Sequence, residues 1–369
     1  MKIDAVDIHR VDMPLVRPFR TAFGDDTSIE SVLVRMRSGD AVGWGEAAPG
    51  AAPAYCGESA AGVVLTIARF LAPRLLGEGV TTGADLQERL RPIKGNRFAK
   101  AALDHAWWDL HARQAGRPLW QVLGGRGDTV DVGADFGVMD SIDELLETIA
   151  GAVEAGFKRV KLKYRPGWDL PMIEAVRGAF PDLTVHVDCN SAYTLDDLPM
   201  LRRLDEFGLS MIEQPLAHDD LLDHAALQRE IRTPICLDES IVSPAKARQA
   251  IEIGACRWVN IKPGRVGGLT EAVAVHDLCR DAGVPCWVGG MLESAVGANH
   301  CLALATLDNV KYPSDVFPSD RFYCPDLSDP PVVLSGPSRA TALPAPGCGA
   351  APDPSRLAAQ ALDCVRLPA

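Results

Sequence analysis

Acidic groups and lysines recur through the middle of the chain at a nearly fixed interval. Lys161-Leu162-Lys163, Asp188-Cys189-Asn190, Glu213-Gln214-Pro215, Asp238-Glu239-Ser240 and Lys262-Pro263-Gly264 each close a short apolar run. The steps from 163 to 188, 213, 238 and 262 are 25, 25, 25 and 24 residues. A strand, a helix and two short loops take about that many residues, so each group falls at the end of a successive strand. Parallel strands bring such ends to one face. Three carboxylates there, Asp188, Glu213 and Asp238, flanked by lysines on both sides, make a site for a hard divalent cation: Mg²⁺, with Mn²⁺ as a substitute. Neither cysteine nor histidine stands at these strand ends, which argues against zinc.

Lys161 and Lys163 are two apart, so on a strand both point to one side, which in a barrel is the interior. The interior cannot solvate them. Two close ammonium groups near a metal should lower each other's pKa and free one amine to accept a proton. Lys262 stands across the ring, so a base faces each side of whatever the metal holds. That geometry suits removal of a proton α to a carboxylate, with the metal stabilising the enediolate. Return of a proton by the opposite lysine gives an epimer; loss of a β leaving group gives an alkene. His186, two before Asp188, shares its face one layer lower and reads as an interior residue rather than a ligand. Cys189 faces away from its neighbours and reads as packing.

These groups need a frame to hold them. From 129 strand-like and helix-like runs alternate: Val130–Gly137, Arg159–Tyr164, Thr184–Asp188, Ser210–Glu213, Pro234–Asp238, Arg257–Lys262, Pro285–Gly289 and Asn309–Tyr312 are the strands. Eight strands in alternation fit a closed parallel α/β barrel better than an open sheet. Before it, 1–48 read as an antiparallel meander with a turn at Ser38-Gly39-Asp40, followed by helical stripes at Ala61–Leu76 and Phe98–Ala112. That order suggests an α+β domain. Trp107 and Trp108 read as core. The connection Arg17–Gly24, with Phe19 and Phe23, reads as a loop, either a lid or a loop anchored by its own phenylalanines; a second loop surrounds Tyr55. The expected division is an α+β capping domain at 1–128, a barrel at 129–318, and a proline-rich segment at 319–369 returning to the capping domain.

Composition sets the outer bounds. With 369 residues, more than one domain is expected, and 47% hydrophobic residues allow a large core. A net charge of −12 and a pI near 5.2 argue against nucleic acid and anionic membrane as partners. No run is long enough to span a bilayer, and the N-terminus lacks the apolar stretch of a signal peptide. Ten cysteines, spread singly, suit the reduced thiols of a cytoplasmic protein. A homo-oligomer acting on a small carboxylate is expected.

The pattern K-x-K, D-x-N, E-Q-P, D-E-S and a lone lysine resembles the enolase superfamily of the muconate-lactonizing type. It is most similar to the o-succinylbenzoate synthase / N-succinylamino acid racemase branch. The motifs are P-F-R-T-A-F-G at 18–24, W-G-E at 44–46, P-A-Y-C-G-E at 53–58, N-I-K-P-G-R-V-G-G at 260–268, G-G-M-L-E-S at 289–294 and P-S-D-R-F-Y at 318–323. The resemblance implies a (β/α)₇β TIM-type barrel with an α+β cap, and Mg²⁺ on Asp188, Glu213 and Asp238. It implies Lys163 and Lys262 as the acid/base pair, with Lys161 assisting electrostatically and Asn190 and Glu239 supporting the ligands. Phe19, Phe23 and Tyr55 fall on the lid, and Met291 and Glu293 beside the substrate. Two departures bear on the substrate. Asp135 stands where the branch carries a small residue, and a carboxylate there would repel a succinyl carboxylate or favour a cationic group. Ala298 and Cys301 stand where it carries Arg and Asn.

The expected activity is a lyase of the o-succinylbenzoate synthase kind: syn dehydration with Lys163 as base then acid. Racemisation of an N-succinylamino acid comes second, and epimerisation of a dipeptide or other N-substituted amino acid third. A non-catalytic binding module has no need of the full acid and lysine set. A zinc hydrolase barrel would need paired histidines at the first strand, and Val130–Gly137 has none.

Overall fold

The computed structural model describes residues 1–20 and 25–369, with the Asp25 side chain also outside the description. The N-terminal half of the cap is an antiparallel sheet in the order Ala361–Pro368, Ala5–Arg20, Asp25–Ser38, Ala41–Ala47. Its tight turn uses Gly39 at φ +59, whose N–H donates to Asp4. The long helix Arg97–Gln114 lies directly on this sheet. A Cβ at Gly43 or Gly45 would fall 2.3 or 2.2 Å from the helix carbonyls of Ala106 and Ala102, so only glycine permits the approach. Phe98, Trp107 and Leu110 fill the core between the layers. Trp108 is half-buried, and its indole N–H donates to Thr270 Oγ1 at 2.9 Å, tying cap to barrel.

Seven parallel strands follow in strict sequence order: Ala134–Phe136, Arg159–Lys163, Thr184–Asp188, Ile212–Glu213, Ile235–Leu237, Trp258–Ile261 and Cys286–Val288. Val160, Leu162, Val185 and Val187 point outward into the helices, as apolar residues on alternate positions must. The expected eighth strand is reduced to single parallel bridges, Cys286 to Val310 and Val132 to Ser314. Pro313 removes a donor directly after that run, so a ladder cannot continue through it to Ser314 and Asp315. The ring still closes there: Lys311 and Asp315 donate to the carbonyls of Cys286 and Val288, and Ser314 donates to Asp131. The fold is a TIM-type α/β barrel with a strand-rich cap.

Residues 17–20 differ from expectation. They continue the first strand, with Phe19 opposite Asp26 and Arg20 opposite Asp25, rather than forming a loop. The register slips between Pro14 and Phe19, where proline interrupts the ladder. Phe23 lies outside the described residues. Beyond the barrel, Leu334–Gly336 and Arg339–Thr341 form a hairpin that pairs with Thr129–Asp131, and Ala361–Pro368 pairs antiparallel with the first strand. No disulfide links any of the ten cysteines, and Cys189 packs in the barrel core. Among the described residues no helix is long and apolar enough to cross a membrane.

Candidate active site

The register of the parallel strands sets Lys163 beside Asp188, Asp188 beside Glu213, and Asp135 beside Lys161. All are buried at the C-terminal end of the barrel. The turns leaving the strands are built for this. Asn190, Ser191 and Gln214 hold positive φ (43°, 64° and 39°), a region few side chains other than asparagine enter readily. Gln214 steadies the next strand end: its Oε1 accepts from the Asp238 and Ser240 N–H groups at 3.0 and 3.2 Å.

The lysines lie on the acids. Lys163 Nζ is 2.8 Å from Asp188 Oδ2 and donates to Asn190 Oδ1 at 2.9 Å. Asn190 in turn donates to Glu239 Oε1 at 3.0 Å. Lys262 Nζ is 2.9 Å from Asp238 Oδ2, at the far end of the row of acids. Lys161 Nζ lies between Asp188 (3.1 Å), Glu213 (3.4 Å) and Asp315 (2.9 Å). Tyr55 reaches in from the cap: its hydroxyl donates to Asp238 Oδ1 at 3.3 Å, and its ring lies 4.7 Å from the Lys262 ammonium. His186 sits one layer below, 3.4 Å from Glu213 Oε2 and 3.1 Å from the Tyr312 hydroxyl; burial lowers its pKa.

For Lys161 the expected lowering is not found. Burial alone would lower Lys161, but the fields of Asp315, Glu213 and Asp188 outweigh it and hold the ammonium well above its usual range. Lys262 is likewise raised: burial opposes, but the Tyr55 phenol and the acids Glu239 and Glu213 prevail over the repulsion from Lys161. The surrounding acids carry more charge than the neighbouring amines. Asp188 is depressed despite burial because Lys163 and Lys161 face it. Burial, then Asp188, raises Glu239.

Among the described residues, no three acid, histidine or cysteine side chains stand close enough as placed to enclose a cation, and ammonium groups take up the carboxylate oxygens. The donor set nevertheless fits a hard divalent ion. Its atoms are all oxygens, on three consecutive strand ends, and Glu213 Oε2 and Asp238 Oδ2 are buried with no aligned hydrogen bond. Asp188, Glu213 and Asp238 would hold the ion.

A cavity of about 330 Å³ opens above, lined among others by Lys163, Lys262, Tyr55, Asp135, Met291 and Phe317. Phe19 reaches its rim and packs edge-to-face on Phe322 at 5.9 Å. Glu293 does not line this cavity. It accepts from the Met291 N–H at 2.7 Å and faces a small recess of about 30 Å³ shared with Ala298 and Cys301.

Four residues joined to the site were not among those expected. Arg159, Asn260 and Arg265 lie two before Lys161, two before Lys262 and three after it. Asp315 ends the closing segment. Arg159 and Lys161 both bind Asp315; Asn260 donates to Glu213 Oε1 at 2.7 Å; Arg265 pairs with Asp238 and donates to Tyr55. The two-residue strand period placed Arg159 and Asn260 on the same inward face.

Comparison with known proteins places the chain in a family. Residues 4–124 match the mandelate racemase / muconate lactonizing enzyme N-terminal domain, and residues 144–356 match the enolase C-terminal domain-like family. The chain is 46% identical over 327 residues to an N-succinylamino acid racemase of Thermus thermophilus, covering 89% of each. It is also 46% identical over 335 residues to an o-succinylbenzoate synthase of Geobacillus kaustophilus, covering 90% of this chain and 89% of the relative. An enolase-superfamily member from Listeria innocua superposes with a TM-score of 0.96 at 34% identity, covering 100% of this chain and 99% of that one. The two family matches cover most of the chain, and this chain belongs to the mandelate racemase / muconate lactonizing enzyme family of the enolase superfamily.

Proposed function

We propose that the enzyme moves a proton at the carbon α to a substrate carboxylate, and that it racemises or epimerises an N-substituted amino acid. One observation carries this reading: Lys163 and Lys262 bind the two outer acids of the row, Asp188 and Asp238, at 2.8 and 2.9 Å. An amine therefore stands on each side of the place where a carboxylate would be held. Lys163 takes the proton from one face of Cα, and Lys262 delivers one to the other. Asn190 orients Lys163, and the Tyr55 ring and Asp238 orient Lys262. Lys161, held cationic by three acids, adds fixed positive charge beside the developing enediolate. A divalent ion held by Asp188, Glu213 and Asp238 would supply Lewis-acid stabilisation of that charge. Phe19 and Tyr55 narrow the cavity against water.

A second reading, syn dehydration of the o-succinylbenzoate synthase type, is favoured by the relatives that bear that name. It needs only Lys163 to move protons, with Lys262 as a fixed cation. The two readings separate on a single substitution. Under racemisation Lys262→Ala abolishes inversion; under dehydration it lowers turnover but leaves proton abstraction by Lys163. Chiral chromatography of N-acyl amino acids incubated with Mg²⁺, beside assay of the dehydration, decides between them. Inversion of none of the N-substituted amino acids would rule out the first reading.

A further inference from the structure

Asp135 is a buried carboxylate that the proposed proton transfer leaves unused. It stands at the end of the first barrel strand, opposite Lys161 in register, and its side chain lines the cavity. It is 6% exposed, and its Oδ1 has no hydrogen-bond partner. A buried acceptor left unpaired in a protein interior costs about 1–3 kcal/mol, more when charged. Such a cost is ordinarily met by a partner; among the described residues none bonds Oδ1, and Arg321, Lys161 and Arg159 act on the Asp135 carboxylate only through their charge.

The neighbouring cations are committed elsewhere. Arg159 and Lys161 both bind Asp315. Arg321 gives its guanidinium to the Asp135 main-chain carbonyl and lies 5.6, 4.9 and 5.4 Å from the rings of Phe136, Phe317 and Phe322. Arg321 is not among the cavity-lining side chains. Among the described residues the cavity is lined by three cations, Lys161, Lys163 and Lys262, each bound to an acid. It is also lined by three aspartates, Asp26, Asp135 and Asp315. A substrate needs one carboxylate for the catalytic end. A second carboxylate on its far arm would meet Asp135 where, among the described lining residues, every cation already bonds an acid, and two carboxylates in contact inside a protein repel strongly.

We propose that Asp135 accepts a hydrogen bond from a donor on the N-substituent of the substrate, an ammonium before an amide N–H. The site then takes N-aminoacyl amino acids, that is dipeptides, in preference to N-succinyl amino acids. This rests on the α-proton reading of the same site and names its substrate class.

The test compares three ligands built on one amino acid: N-aminoacyl, N-acetyl and N-succinyl. Affinity is measured by titration calorimetry with Mg²⁺ present, and Cα deuterium incorporation in D₂O is followed in the same samples. Charge-assisted hydrogen bonds set the scale, so the aminoacyl ligand is expected to bind roughly 10- to 100-fold tighter than the succinyl one. Asp135→Asn should erase that ratio, and Asp135→Ser should move it toward the succinyl ligand. If the succinyl ligand binds tightest to the native protein, the inference falls. It also falls if neither substitution changes the order, or if none of the three binds. Binding in the expected order without deuterium incorporation would support the Asp135 subsite while overturning the proton-transfer reading. The order in the native protein alone decides the inference should a variant fail to fold.

Discussion

Lys163 and Lys262 are fixed from several sides, and that fixes what each substitution should do. In the proposed reading, alanine at either position removes a proton carrier without emptying the row of acids. Inversion of substrate is expected to fall about 10²- to 10⁴-fold, with circular dichroism unchanged. Gly289 makes a finer test of placement. A Cβ there would lie 2.5 Å from Asn260 Oδ1 and 2.9 Å from Lys262 Cε, so Gly289→Ala must push one or both aside. Turnover should drop by roughly 10- to 100-fold with the melting temperature little changed, because misplacing a catalytic group by about 1 Å costs that much. Retained turnover would show that the position of Lys262 is not critical.

At the scale of elements, the link between cap and barrel rests on Glu46, at the end of the strand Ala41–Ala47. Its carboxylate accepts from Ser31 Oγ (2.9 Å), from the Ser294 N–H and Oγ (3.0 and 2.6 Å), and from the Gly297 N–H (2.9 Å). The last three sit at the N-terminus of the helix Ala295–Ala305, where an anion is favoured. Burial still pushes the Glu46 pKa up to about 7. A raised carboxyl stabilises the fold fully below its unfolded pKa, and that stability is lost as pH rises through the folded value. Stability should therefore decline between about pH 4.5 and about pH 7, by on the order of 3 kcal/mol from this group. Urea titrations across that window should show the slope in the native chain and a flatter one in Glu46→Gln. Identical slopes would remove Glu46 from the account.

The strand-end acids and lysines were legible because they repeat with the period of the βα unit and because alternate strand residues share a face. The same period contained Arg159 and Asn260, but they lie below the lysines at their strand tips, where residue type alone does not separate a site residue from an interior one. Asp315 was harder to find, since Pro313 disrupts its strand and hides the rhythm. Tyr55 and Glu46 meet the barrel only through tertiary packing, which no local pattern encodes; sequence motifs marked them without saying what they touch. The raised Lys161 was hidden for a related reason. Sequence spacing counts the amines, but the number of acids within reach depends on the closed ring.

At the scale of the molecule, the two ends of the chain share one sheet, Ala361–Pro368 running antiparallel to Ala5–Val11. Removing residues 361–369 should expose the edge of the first strand, whose far end bears Phe19. Hydrogen exchange is expected to report at least about tenfold faster exchange at Ala5–Arg10, with the barrel strands still protected. Loss of protection across the barrel as well would mean that cap and barrel unfold as one unit. In the proposed function the barrel, the cap and their shared cavity serve one arrangement, in which each of two amines faces its own side of a held carboxylate. Stereospecific exchange in D₂O with Mg²⁺ tests it most directly. With two working amines, Lys163→Ala and Lys262→Ala each lose inversion yet retain Cα deuterium exchange with one enantiomer only, a different one for each variant, and chelation of the cation abolishes both. Both variants exchanging the same enantiomer, or either one still inverting substrate at near the native rate, would contradict it.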